Sequence, residues 1–125
     1  MIDFSKEFGI VFDKVDTSYC AGAISGLIEE AGEVIEECKV LFDESSKQFV
    51  TESGEKLAVH GIYMSKRMDF FFIHLRTANY DFEGWADFSD NNKAHNIQPF
   101  LSQHGIRIRD LDLKKRRSRK GVHHD

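Results

Sequence analysis

The longest regular pattern in the chain runs over residues 18–42, SYCAGAISGLIEEAGEVIEECKVLF. Advanced at 100° per residue, Ile24, Leu27, Ile28, Ala31, Val34, Ile35, Cys38, Leu41 and Phe42 fall within an arc of roughly 140°. Glu29, Glu30, Glu33, Glu36 and Glu37 gather opposite them, within about 120° of one another. The spacing predicts an amphipathic helix of about six turns, long enough to be the central core helix of a small domain. Asp16, Thr17 and Ser18 supply the oxygen side chains that cap a helix start. Gly22 and Gly26 each cost such a helix about 1 kcal/mol relative to Ala, which points to a close approach to the backbone, by a neighbouring element or by a ligand.

Around this helix the period shifts toward two. Residues 4–15 alternate, with Phe8, Ile10 and Phe12 on one face and Gly9, Val11 and Asp13 on the other, and they predict a strand. After an exit loop at 43–46, residues 47–65 read as a hairpin about the turn Glu52-Ser53-Gly54-Glu55. Residues 68–77 and 80–88 are two further strand-like runs, the second with Tyr80, Phe82, Gly84 and Ala86 on one side. A four-stranded antiparallel meander over residues 47–88 is therefore expected. Asp90, Asn91 and Asn92 can cap a second helix over residues 93–103, which Pro99 should kink or split, and His104-Gly105 is a stop signal. Residues 106–113 predict a last strand, Ile106 and Ile108 inward, Arg107 and Arg109 outward. The expected fold class is α+β: one long amphipathic helix packed on an antiparallel sheet, with a short second helix. It forms a single domain over residues 1–113, followed by a basic C-terminal tail at 114–125.

Composition agrees with a packed domain. Eleven Phe against one Pro, in 125 residues that are 41% hydrophobic, can fill a core. No basic segment followed by an apolar run opens the chain, and no stretch approaches ~18 apolar residues, so neither a signal peptide nor a membrane span is expected. Cys20 and Cys38, on one continuous helix, would stand about 27 Å apart, beyond disulfide reach. Reduced thiols fit a cytoplasmic protein.

Charge changes the picture more. The net charge of −4 divides unevenly: residues 106–125 carry eight Lys/Arg and three Asp, and the remaining body is at −9. Lys114, Lys115, Arg116, Arg117, Arg119 and Lys120, with Arg107 and Arg109 upstream, form a phosphate-seeking run of the kind that binds nucleic-acid backbones without reading sequence. Single-strand stacking would need aromatic rings beside it, which Tyr63, Phe71, Tyr80 and Trp85 supply only where they face outward. The acidic body, in turn, would complement a basic protein partner at the glutamate face of the helix.

Glu29, Glu30 and Glu33 form an E-E-x-x-E pattern whose spacing groups three carboxylates at one surface, as Mg²⁺ requires. The pattern resembles the first metal-binding helix of the MazG-like all-α nucleotide pyrophosphohydrolases. The resemblance implies an all-α fold and Mg²⁺-dependent hydrolysis. The E-x-x-D of that family's second metal helix is absent; Asp13-x-x-Asp16 and Asp87-x-x-Asp90 are the nearest patterns. His60, His74, His95 and His104 show no zinc spacing, although His60 and His74 fall on strands that can pair. No phosphate loop or nucleophile motif is present. The leading expectation is thus a non-enzymatic protein, without cofactor, whose tail contacts RNA or DNA, as a component of a nucleoprotein assembly would. An acidic-surfaced inhibitor of the immunity or antitoxin type is the second, and the metal-dependent hydrolase the third.

Overall fold

The computed structural model describes residues 1–16, 34–65, 67 and 69–111. These residues build a curled half-barrel, mostly antiparallel sheet. The strands are β1 (Ile2–Asp3), β2 (Phe12–Asp16), β3 (Val34–Cys38), β4 (Val40–Asp43), β5 (Gln48–Thr51), β6 (Lys56–Ser65), β7 (Phe70–Arg76), β8 (Tyr80–Asp87) and β9 (Arg109–Leu111). Their order across the sheet is β1-β4-β5-β6-β7-β8-β2-β3. β9 adds in parallel to the end of β6, Tyr63 in register with Arg109.

The meander expected over 47–88 is there, as β5 to β8 in consecutive antiparallel order. The α+β architecture is not: no long helix packs on a sheet. Residues 34–42, which the helical pattern takes as the end of that helix, form β3 and, after Lys39, most of β4. A short apolar run fits both periods, and here the β-branched Val34, Ile35 and Val40 settle into strands. Val40 and Phe42 point into the core, while Val34 and Ile35 stay about half exposed on an edge strand. The earlier part of the predicted helix, with Gly22, Gly26, Glu29, Glu30 and Glu33, lies outside the described residues. A mainly β sheet also overturns the all-α fold that the MazG-like resemblance implies.

The expected strand at 4–15 is likewise replaced, by a helical turn, α1 (Phe4–Phe8), and then β2. Asp3 caps α1 by accepting from the backbone N–H groups of Ser5 and Lys6. Gly9 ends it at φ 67°, a left-handed conformation in which a side chain would be strained. A Cβ there would also lie 2.9 Å from the Asn91 amide, whose Nδ2 donates to the Phe8 and Gly9 carbonyls. The helix expected at 93–103 is a 3₁₀ turn (Asn92–Asn96) running into α2 (Ile97–Gln103). Pro99 is not at that junction. It occupies the first turn of α2, where its missing N–H leaves no helical bond unmade.

One face of the sheet is the core. Phe4, Phe12, Phe42, Phe49, Phe71 and Phe82 are its largest fully buried side chains. Phe100 of α2 packs its ring against Phe4, Phe8 and Phe42 at centroid distances of 5.9, 5.2 and 5.4 Å. Gly84 faces Phe12 across the β8–β2 pair; a Cβ there would lie 2.9 Å from Ile10 and 3.0 Å from the Phe12 ring.

Candidate functional site

The other face of β6, β7, β8, β2 and β3 carries the chemistry, because alternate residues of a strand point to opposite sides. Strand register arranges its side chains in three cross-strand rows. The first runs Arg109, Tyr63, Phe72, Trp85. The second runs Gly61, His74, Glu83, Asp13, Glu37. In the third, Arg76 opposes Asp81, which opposes Val15. Directly opposed side chains on such a face have Cβ atoms about 4.5–5.5 Å apart, and like charges so placed repel. Glu83, Asp13 and Glu37 are three carboxylates in that arrangement.

The first row begins with a tight fit. A Cβ on Gly61 would lie 2.5 Å from the Tyr63 hydroxyl, so the absence of a side chain at 61 makes room for the Tyr63 ring. That ring stacks on Phe72, centroids 6.0 Å apart at 23°. Trp85, at the other end, is 41% exposed.

The most buried point is Asp81, fully inaccessible. Its Oδ1 accepts from Arg76 Nε at 2.8 Å and meets His74 Nε2 at 2.9 Å. Its Oδ2 has no hydrogen-bond partner among the described residues. Burial raises the Asp81 pKa, but the bonds from Arg76 and His74 outweigh this and hold it below the ordinary carboxylate range. Burial pushes His74 down, more than the Asp81 contacts pull it up. A neutral His74 facing an ionised carboxylate carries its proton on Nε2. The His60 ring sits 4.6 Å from that of His74, realising the cross-sheet pair expected from the sequence. Burial, then Arg76 and Arg109, lower His60.

Glu83 is 6% exposed. Burial, followed by the charges of Asp81 and Asp13, pushes its pKa up to about 7. Burial and Glu37 raise Asp13 as well. Among the described residues, no cation pairs with Glu83, Asp13 or Glu37; Lys14 reaches Glu36 instead, at 4.0 Å. The face thus opens from a closed Arg76–Asp81–His74 cluster toward the exposed Glu37 and Trp85, with the carboxylate row between.

Of the aromatic residues considered for stacking, Tyr63 and Trp85 lie on this face. Phe71 is core, and Tyr80 is half-buried under the Lys14 ammonium, 4.3 Å from its ring centroid. Arg107 and Arg109 are exposed, as expected, and Ile106 and Ile108 pack on the core. Lys114, Lys115, Arg116, Arg117, Arg119 and Lys120 lie outside the described residues. No group of three or more His, Cys, Asp or Glu among the described residues is arranged to hold a metal ion. Cys38 is a half-buried free thiol that burial, then Glu36, pushes up to about 11. No described helix is long and apolar enough to cross a membrane.

The Asp81 cluster was missed from sequence. Its signal was the alternation Asp81, Glu83, Trp85 against Phe82, Gly84, Ala86, coupled with His74 and Arg76 on the preceding strand. No family model, no curated protein and no solved structure matches this chain.

Proposed function

We propose that this chain is a non-enzymatic binding protein whose acidic and aromatic sheet face takes a basic segment of a protein partner, as an inhibitor of the immunity or antitoxin type would. The observation that carries this is the exposed Trp85 beside a row of carboxylates that no described cation neutralises. An aromatic ring attracts a cation through its quadrupole, and carboxylates supply the counter-charge. A body at −9 adds long-range attraction for the same partner. The partner surface is therefore this sheet face, and the two-cysteine chain is at home in the cytoplasm.

Trp85 is the single tryptophan of the chain, so its fluorescence reports on the face directly. Titration with a hexa-arginine peptide should change that emission, with an affinity that falls as salt is raised. A hexa-glutamate peptide should produce no change. Equal responses to both peptides, or none to either, would remove the reading.

A second reading has its own observation: Arg107, just before β9, and Arg109, its first residue, are both exposed, and the cationic tail follows in the sequence. On this reading the tail contacts RNA or DNA phosphates through its cations. Retention on unrelated RNA and DNA sequences should be similar, with a log–log salt slope of about −3 to −5. Deleting residues 114–125 should abolish it. Retention that survives the deletion would refute this second reading.

A further inference from the structure

Glu83 is hemmed in by its own kind. From β8, Asp81 flanks it two residues away on the same face, and from β2, Asp13 stands directly opposite. Beyond Asp13 is Glu37 of β3. On its other side β7 presents His74, whose Nε2–H is spent on Asp81. Among the described residues the guanidinium nearby, Arg76, is spent on the same Asp81 oxygen, and His60 and Arg109 lie across β7 on the far side of His74. The second Asp81 oxygen, fully buried and unpartnered among the described residues, adds negative charge that none of them compensates. Among the described residues no further cation compensates this cluster, and an incoming one would.

We infer that a basic segment docking on this face drives a proton off Glu83, so that cation binding and deprotonation are one linked event. The inference rests on the proposed reading of the face as a cation site. In the free protein the crowded carboxyl holds its proton around neutrality, consistent with the rise of its pKa to about 7. When a guanidinium settles beside the exposed Trp85 and Glu37, its charge acts on the buried Glu83 across Asp13 and favours the ionised form. The O–H bond of Glu83 breaks, its electron pair stays on the carboxylate, and the proton leaves to solvent. His74 does not serve as the acceptor, because burial keeps it from gaining charge.

The probe is hexa-arginine, which does not titrate in this range. With wild-type protein, affinity read from Trp85 fluorescence should rise about tenfold from pH ~6 to pH ~8, as the ionised fraction of Glu83 goes from about a tenth to about nine-tenths. In Glu83→Gln the pH dependence should flatten. Independently of any variant, calorimetry at pH ~6 in two buffers of different ionisation heat should show about one proton released per peptide bound. Binding that is intact but equally tight at both pH values, with no proton released, would overturn this inference alone. Absence of binding at either pH would remove the inference together with the cation-site reading beneath it.

Discussion

Glu83→Gln is expected to stabilise the protein, and to do so only where the carboxyl would be charged. In the native state burial and the neighbouring Asp81 and Asp13 raise this group from 4.5 to about 7. A carboxyl whose native pKa lies above its unfolded value binds more protons in the folded than in the unfolded chain between the two. Stability therefore falls as pH rises through that interval. The gap of about 2.5 pK units, at ~1.4 kcal/mol each, puts the full cost at roughly 3 kcal/mol above neutrality. Glutamine has nearly the same shape and no charge to bury. Urea unfolding of both proteins should give a difference of about 1 kcal/mol at pH ~5, growing to roughly 3 kcal/mol at pH ~8. Asp81 works in the opposite sense, its contribution being lost as pH falls through its lowered pKa, and so lies below this window. A difference that stays constant from pH ~5 to pH ~8 would show that Glu83 is not held protonated by its surroundings.

The other expectations concern packing and the cluster. Asp81→Ala strips Arg76 and His74 of their shared partner and should cost on the order of 3 kcal/mol in the same urea assay. Phe49→Ala, in the core, should cost about 3–5 kcal/mol, whereas Ile35→Ala on the edge strand should stay within ~0.5 kcal/mol. The reverse order would restore a buried helix in place of β3. Gly84→Ala should cost about 1–3 kcal/mol, since its methyl would press on Ile10 and Phe12; an unchanged denaturation midpoint would mean that those side chains yield freely.

The sheet was half legible in the sequence. Over residues 47–88, hydrophobic alternation, a Gly-containing turn and strands of ordinary length agree, so local pattern and tertiary structure give one answer. The run Val34-Ile35-Glu36-Glu37-Cys38 does not discriminate in this way. Two apolar residues, two acids and a thiol suit a helical wheel and an exposed edge strand equally, and only pairing with β2 decides. At the N-terminus, Phe4 and Phe8 lie one helical turn apart, yet with Ile10 and Phe12 they also alternate; the Asp3 cap and Gly9 carried the correct signal. The polar face was hidden for a different reason. Alternation says which residues share a side, but not that Asp81 would be buried with Arg76 and His74 from the next strand. That depends on a hairpin register which charge patterning alone does not fix.

The central claim, that the face formed by Trp85 and the carboxylate row receives a cationic segment, is tested most directly by nuclear magnetic resonance of the full chain during a hexa-arginine titration at pH ~8. The Trp85 indole N–H and the side-chain carboxyl carbons of Glu83, Asp13 and Glu37 should shift together and saturate at one concentration. The side chains of Phe71 and Ile73, on the opposite side of the sheet, should stay in place. A titration that leaves Trp85 and those carboxyls unmoved while other parts of the chain respond would contradict the assignment of this face as the binding site.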